Sequence, residues 1–237
     1  MSQLKALLLV RADGSQIDTP LKQGALSAGD PFSDVREIAY AGPDGVSAGV
    51  VSGGGVWRSD AYPFTEMLVV HKGRVSLRVN GETLEASPGE SVVVEQGVAC
   101  QIDAVDGSLW AFCAVSGPAP STQPALTWID KRVALAPSAA PEASILIGPT
   151  PQCRSHNAYE APNSSLRIGV WDSTPYARGG RPHKVHELMH LIEGQVTLGG
   201  ADGEALIVNT GDTVFVPQGA SCAWESTVYV RKYYVVV

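Results

Sequence analysis

The side chains best able to do chemistry in this sequence gather in one short stretch, Arg181–Glu193, which reads RPHKVHELMHLIE. Read as an extended strand, it sets Arg181, His183, Val185, Glu187, Met189 and Leu191 on one face and His186, Leu188, His190 and Ile192 on the other. An imidazole and a carboxylate on one face suit Mn, Fe, Ni or Zn. They equally suit a buried hydrogen-bonded His–Glu couple, with Arg181 completing an ion network. His186, Glu187 and His190 also spell H-E-x-x-H, but that zinc pattern needs a helix to bring its two histidines together. On a strand the match is a coincidence, and His186 and His190 fall on the outer face, in surface or interface roles.

The elements that must hold these groups are strands. The 237 residues are 44% hydrophobic and 17% charged, with 25 glycines and 16 prolines. Apolar runs such as Met67–Val70, Val92–Val94, Leu206–Val208 and Val214–Val216 are short and cut by turn residues, including Asn80-Gly81 and Asp202-Gly203. That spacing predicts an all-β sandwich or barrel. The net charge of −7 and pI near 5.2 leave no basic footprint for nucleic acid. Ala6–Val10, stopped by Arg11, is too short for a membrane span or a secretion signal. Cys100, Cys113, Cys153 and Cys222 have no paired spacing, which fits a reducing cytoplasm rather than a disulfide scaffold.

Self-comparison predicts a duplication. Gly55-Val56-Trp57-Arg58-Ser59 matches Gly169-Val170-Trp171-Asp172-Ser173 at an offset of 114, and Glu66 and Gly73 match Glu187 and Gly194 at 121. From Gly81 onward the offset is 122, joining Gly89 to Gly211, Gln96-Gly97 to Gln218-Gly219 and Cys100 to Cys222. The change of offset implies about seven extra residues between Trp171 and Glu187, in a glycine-rich loop at 177–182. Trp57 and Trp171 then become matched packing residues at each barrel lip.

The order HKVHELMHLIEG, a hairpin at Ala201–Gly203, then GDTVFVPQGASC resembles the paired motifs of cupins, and the duplication makes the chain resemble a bicupin. The GVW(D)S segment, Trp224 after the P-x-G turn, and the VRKYY ending are most similar to the ureidoglycine aminohydrolase-type branch. The resemblance implies tandem jelly-roll (double-stranded β-helix) barrels at 55–115 and 169–237. Residues 1–54 would pack on the barrels, with Leu4–Val10 as an edge strand, and 116–168 would hold a linker, beginning with the proline-rich 116–125, and strands leading into the second barrel. In the second barrel, Arg181 stands where the first motif histidine belongs and Cys222 where the second belongs. The implied metal set is therefore His183, Glu187 and Cys222. The counterparts in the first barrel are Asp60, Tyr62, Glu66 and Cys100, with no histidine.

Two functions follow from the resemblance. One is a metal-dependent enzyme acting on a small polar, nitrogenous metabolite, aminohydrolase-like, with Arg181 and Tyr176 contacting substrate and a divalent ion (Mn, Fe, Ni or Zn) as Lewis acid. The other is a non-catalytic small-ligand binder or sensor with degenerate metal sites. Either way the partner is a small molecule, in a cytoplasmic protein that contacts neither nucleic acid nor membrane and is compatible with a homodimer. Lys184, Arg231 and Lys232 read as solvated or salt-bridged, with the face of Lys232 left open.

Overall fold

Turn chemistry fixes where strands begin and end. Asn80 and Gly81, with φ of 51° and 84°, form the two-residue turn between Val75–Val79 and Glu82–Ala86. Two successive positive φ values match the right-handed twist of the flanking strands, and Asn-Gly is the pair that adopts them most readily. The computed structural model describes residues 4–117, 124–162, 164–201 and 203–237. Residues 118–123 of the expected proline-rich linker, and Asp202 of the expected Ala201–Gly203 hairpin, lie outside the described residues. Among the described residues the sole helical element is the 3-10 turn Ala143–Ile145, and the chain is all-β. No described helix is long and apolar enough to cross a membrane.

The chain divides into two units, 18–130 with 158–166, and 1–17 with 131–157 and 167–237. The first holds a seven-stranded sheet in the order Leu126–Trp128, Ser91–Val94, Thr65–Lys72, Leu109–Val115, Val46–Ser52, Arg36–Ala41, Lys22–Gln23. Its four-stranded sheet runs Gly55–Ser59, Cys100–Ala104, Val75–Val79, Glu82–Ala86. Inward side chains from both, including Leu68, Val70, Leu77, Val94, Ile102, Trp110 and Phe112, close one core. This barrel thus takes in residues 18–54, which the repeat match leaves outside it.

The second unit repeats the plan. Its larger sheet runs Leu7–Val10, Thr213–Val216, Glu187–Glu193, Val230–Val236, Arg167–Ser173, Cys153–Glu160, Ala136–Ser138. The smaller runs Leu146–Ile147, Tyr176–Pro182, Ser221–Ser226, Gln195–Gly199, Ala205–Asn209. Met189, Leu191, Val196, Leu198, Val214 and Trp224 belong to its core. Leu7–Val10, near the start of the chain, fills the sheet position that Leu126–Trp128 fills in the first unit.

Strand register gives the true equivalences. Glu66 lies opposite Val94 and Ala114, and Glu187 lies opposite Val216 and Val236, so the two glutamates occupy one position. The GVW match does not survive. Gly55–Ser59 lies in a smaller sheet, whereas Arg167–Ser173 lies in a larger one, where its counterpart is Val46–Ser52. The counterpart of Gly169 is Gly49, at an offset of 120, so no seven-residue insertion exists and the expected loop at 177–182 is a strand. Gly49 and Gly169 share a physical need. A Cβ on either would stand 2.1 Å from the Glu37 carbonyl oxygen or 2.0 Å from that of His156, on the neighbouring strand. Gly169→Ala is expected to lower stability by about 1–3 kcal/mol through overpacking, read as a lower melting temperature, with Gly49→Ala behaving alike.

Candidate functional site

The strand Tyr176–Pro182 carries a bulge. Arg178 lies opposite Trp224 and Arg181 opposite Cys222, three steps against two, with Gly179-Gly180 absorbing the extra residue. In a regular strand residues three apart face opposite ways, and the bulge turns both arginines to one side. Arg178 and Arg181 line a cavity of about 310 Å³ in the second unit, together with Cys153, Trp171, His183, Lys184, Glu187 and Lys232.

Glu187 sits between Lys232 and His183. Lys232 Nζ donates to Glu187 Oε1 at 2.7 Å, and His183 Nε2 is 3.3 Å from Oε2. Burial alone would raise the Glu187 carboxyl, but Lys232 and His183 outweigh it and hold the group well below the usual carboxylate range. His183 Nδ1 lies 2.8 Å from the Val185 carbonyl oxygen, which can only accept, so Nδ1 carries a hydrogen. The Lys232 ammonium lies 4.8 Å from the Trp171 ring centre and 5.1 Å from that of Trp224, with Met189 Sδ at 3.0 Å. Two indole faces and a carboxylate make a cage for one positive charge.

The charge balance of the cavity favours anions. Arg178, Arg181, Lys184 and Lys232 face it, against the single carboxylate of Glu187. At the rim, exposed Glu142 takes Arg181 at 3.4 Å and Lys184 at 2.5 Å. Arg178 donates to the Cys222 carbonyl oxygen at 2.6 Å and has no carboxylate partner among the described residues. A basic cup in a chain of net charge −7 is a local reversal of sign.

The expected site residues separate here. Arg181, His183 and Glu187 do come together, but not by parity along one strand: Arg181 lies at the end of a strand of the smaller sheet, the chain bends at 184–185, and Glu187 opens a strand of the larger sheet. Cys222 does not join them: its thiol faces the Ala223 carbonyl oxygen at 3.4 Å, it does not line the cavity, and burial raises its pKa. Tyr176 stacks on Trp224 in the core, ring centres 5.6 Å apart, rather than lining the cavity. His186 and His190 do lie on the opposite face from Glu187, but they are buried, stacked on Phe215 and Tyr233. Arg178 is the residue that sequence reasoning missed, and Lys232, whose face was left open, is salt-bridged to Glu187 and buried. The Gly179-Gly180 pair was the available signal for the bulge, and a lone lysine in the run Val228–Val237 was the signal for a buried charge.

A divalent ion of the kind many cupins hold does not fit this donor set. The Lys232 ammonium, 2.7 Å from one Glu187 oxygen, already supplies positive charge where an ion bound by that carboxylate would lie. Among the described residues no three His, Cys, Asp or Glu side chains form a metal-binding group.

The first barrel has solved the same problem differently. Arg36, fully buried, donates to Asp30 at 2.8 Å and to Glu66 at 3.0 Å, and its guanidinium carbon lies 4.1 Å from the Phe112 ring centre. Burial raises the Glu66 carboxyl, Arg36 opposes this, and the group stays above its ordinary value. Tyr62 and Cys100 are buried nearby, with the Cys100 thiol pushed up to about 11 by burial, and Asp60 is exposed. Trp57 lies opposite Ile102, as Arg178 lies opposite Trp224; Trp110 lies opposite Val51, as Lys232 lies opposite Trp171. Trp57, Trp110 and Phe32 pack edge to face at 5.2–6.1 Å. Two indoles thus fill in one barrel the positions from which two cations face the cavity in the other.

The family model of the EutQ-like cupin domain matches residues 160–234. A crystal structure of a protein with unknown function from Pseudomonas syringae pv. tomato str. DC3000, of the DUF861 family, is 50% identical. That alignment covers 99% of this chain and 100% of the other, with a TM-score of 0.96. A putative glyoxylate-induced protein from Pseudomonas aeruginosa is 14% identical over 100% of this chain and 90% of its own, with a TM-score of 0.59. An oxalate decarboxylase variant from Bacillus subtilis is 10% identical over 100% and 78%, with a TM-score of 0.51. At such identities these last two likenesses show the fold alone. No curated protein matches the sequence.

Proposed function

The chain belongs to the DUF861 family of cupins, and from that premise we propose that its second barrel binds a small organic anion, with Lys232 standing where other cupins rely on a metal ion. The observation that carries this reading is Arg178, a partly buried guanidinium at the cavity whose hydrogen bonds, to the Cys222 carbonyl oxygen, the Tyr176 hydroxyl and the Cys222 thiol, leave its charge without a carboxylate among the described residues. A guanidinium fork matches the two oxygens of a carboxylate. Arg181 can join it by leaving its long contact with exposed Glu142. The Lys232–Glu187 pair holds the floor of the cup, and Trp171 supplies an apolar wall. In the first barrel Trp57 and Trp110 fill the positions equivalent to Arg178 and Lys232, so the expected stoichiometry is one ligand per chain.

The test is calorimetric titration with acetate, pyruvate and malonate, on wild type and on Arg178→Met. The variant is expected to bind about tenfold more weakly, near 1.4 kcal/mol, with its melting temperature unchanged. Equal affinity in the two proteins overturns the role of Arg178, and no binding of any carboxylate overturns the reading. The aminohydrolase-like, metal-dependent alternative rests on the His183–Glu187 contact alone. Near-stoichiometric Mn, Fe, Ni or Zn in protein purified without a histidine tag, lost in His183→Ala/Glu187→Ala, would restore it.

A further inference from the structure

We propose that Lys232 is a carbonyl-reactive amine, which forms an imine with a 2-oxo acid held in the cup of the second barrel; this rests on the anion-binding reading above. Three features converge on the same nitrogen. Lys232 is the one buried amine facing the cavity, 6% exposed, whereas Lys184 stands at the rim with its side chain 64% exposed. Its Nζ is fixed by a carboxylate at 2.7 Å and by two indole faces, so a bound carbonyl meets a positioned nitrogen rather than a mobile one. Arg178 and Arg181 face the same small cavity and can hold the carboxylate adjoining that carbonyl.

The chemistry balances without an added reactant. The ammonium gives one proton to solvent, which reaches the cup, and the free amine attacks the carbonyl carbon, forming the C–N bond of a carbinolamine. The carbonyl oxygen gathers two protons, one from the nitrogen and one returned by solvent, and leaves as water. What remains is a protonated imine with one hydrogen on nitrogen. The nitrogen is cationic before and after, so the cage of Trp171, Trp224 and Glu187 that holds the ammonium also holds the iminium. The cost of burying a charge is therefore common to reactant and product. His183, on the other Glu187 oxygen, keeps that carboxylate oriented toward the nitrogen.

The experiment is borohydride trapping of the full chain with pyruvate, mapped by peptide mass spectrometry. Lactate, which has no carbonyl, serves as control, and calorimetry of both acids runs in parallel. The expected result is a saturable adduct on Lys232, heavier by pyruvate less one oxygen atom, absent with lactate and absent from Lys184. Lys232→Arg cannot form an imine, so it is expected to lose the adduct. Pyruvate binding without an adduct on Lys232, or labelling spread equally over exposed lysines, overturns the imine and leaves anion binding standing. Absence of both binding and adduct overturns the two together.

Discussion

Replacing Arg36 with methionine is expected to lower the stability of the chain by about 3–5 kcal/mol, the usual loss when one partner of a buried ion cluster is removed. The guanidinium is fully buried and is the shared partner of Asp30 and Glu66, neither of which reaches solvent. Without it two carboxylates face each other among Phe32, Phe64 and Phe112. They must protonate or draw water into an apolar core. Urea denaturation measures the loss. The companion variant Arg36→Met/Glu66→Gln/Asp30→Asn removes the charges together and is expected to recover much of it, since an apolar or neutral filling of such a site is often as stable as the ions. A loss below about 1 kcal/mol in the single variant, the scale of a surface pair, would mean the cluster does not hold the barrel.

Glu187→Gln is the counterpart in the second barrel, with an expected loss of about 3 kcal/mol, the low end for a broken buried pair because solvent reaches the cup. The amide leaves Lys232 charged between two indoles with a neutral partner. The pH dependence identifies the cause. The folded-state pKa of Glu187 lies below its unfolded value of about 4.5. Its contribution is therefore present above pH 4.5 and is lost as the pH falls toward the folded value. Wild type should lose stability through that acid range more steeply than Glu187→Gln, and at neutral pH the two should differ most. Parallel acid limbs would assign the stability to other carboxylates.

How far the sequence disclosed this molecule depends on which signal each residue left. The equivalence of Glu66 and Glu187 was legible because glycines, valines and a cysteine downstream share one offset, and strand register agrees with it. Arg181, His183 and Glu187 were legible as a group because they lie close in sequence, although the strand expected to join them is broken at 184–185 and its two halves belong to different sheets. Trp57 and Trp171 misled because three identical residues at a shorter offset imitate homology, while the real partner of Gly169, Gly49, is marked only by a backbone that approaches too closely for a Cβ. Arg178 was hidden by a bulge, which reverses parity without changing composition. Lys232 was hidden because burial of a charge depends on partners from other strands, here Glu187, Trp171 and Trp224. Arg36 was hidden for the same reason.

The edge strand Leu7–Val10 has a consequence for how the chain is made. It pairs with Thr213–Val216, and Ala12 bonds Asp212 across 200 residues. Leu8, Leu9 and Val10 are buried there, and Arg11 clasps Asp212 at 2.7 Å. On a ribosome this hydrophobic segment emerges well before its partner, so it must wait through the synthesis of the intervening 200 residues with its edge uncovered. The unit that carries the ligand cup is accordingly the one of high contact order, closing last. Residues 18–130, whose partners lie nearby in sequence, can assemble while synthesis continues. A chaperone or a fused tag that holds residues 7–10 would delay the cup while leaving the barrel built around Arg36 free to form.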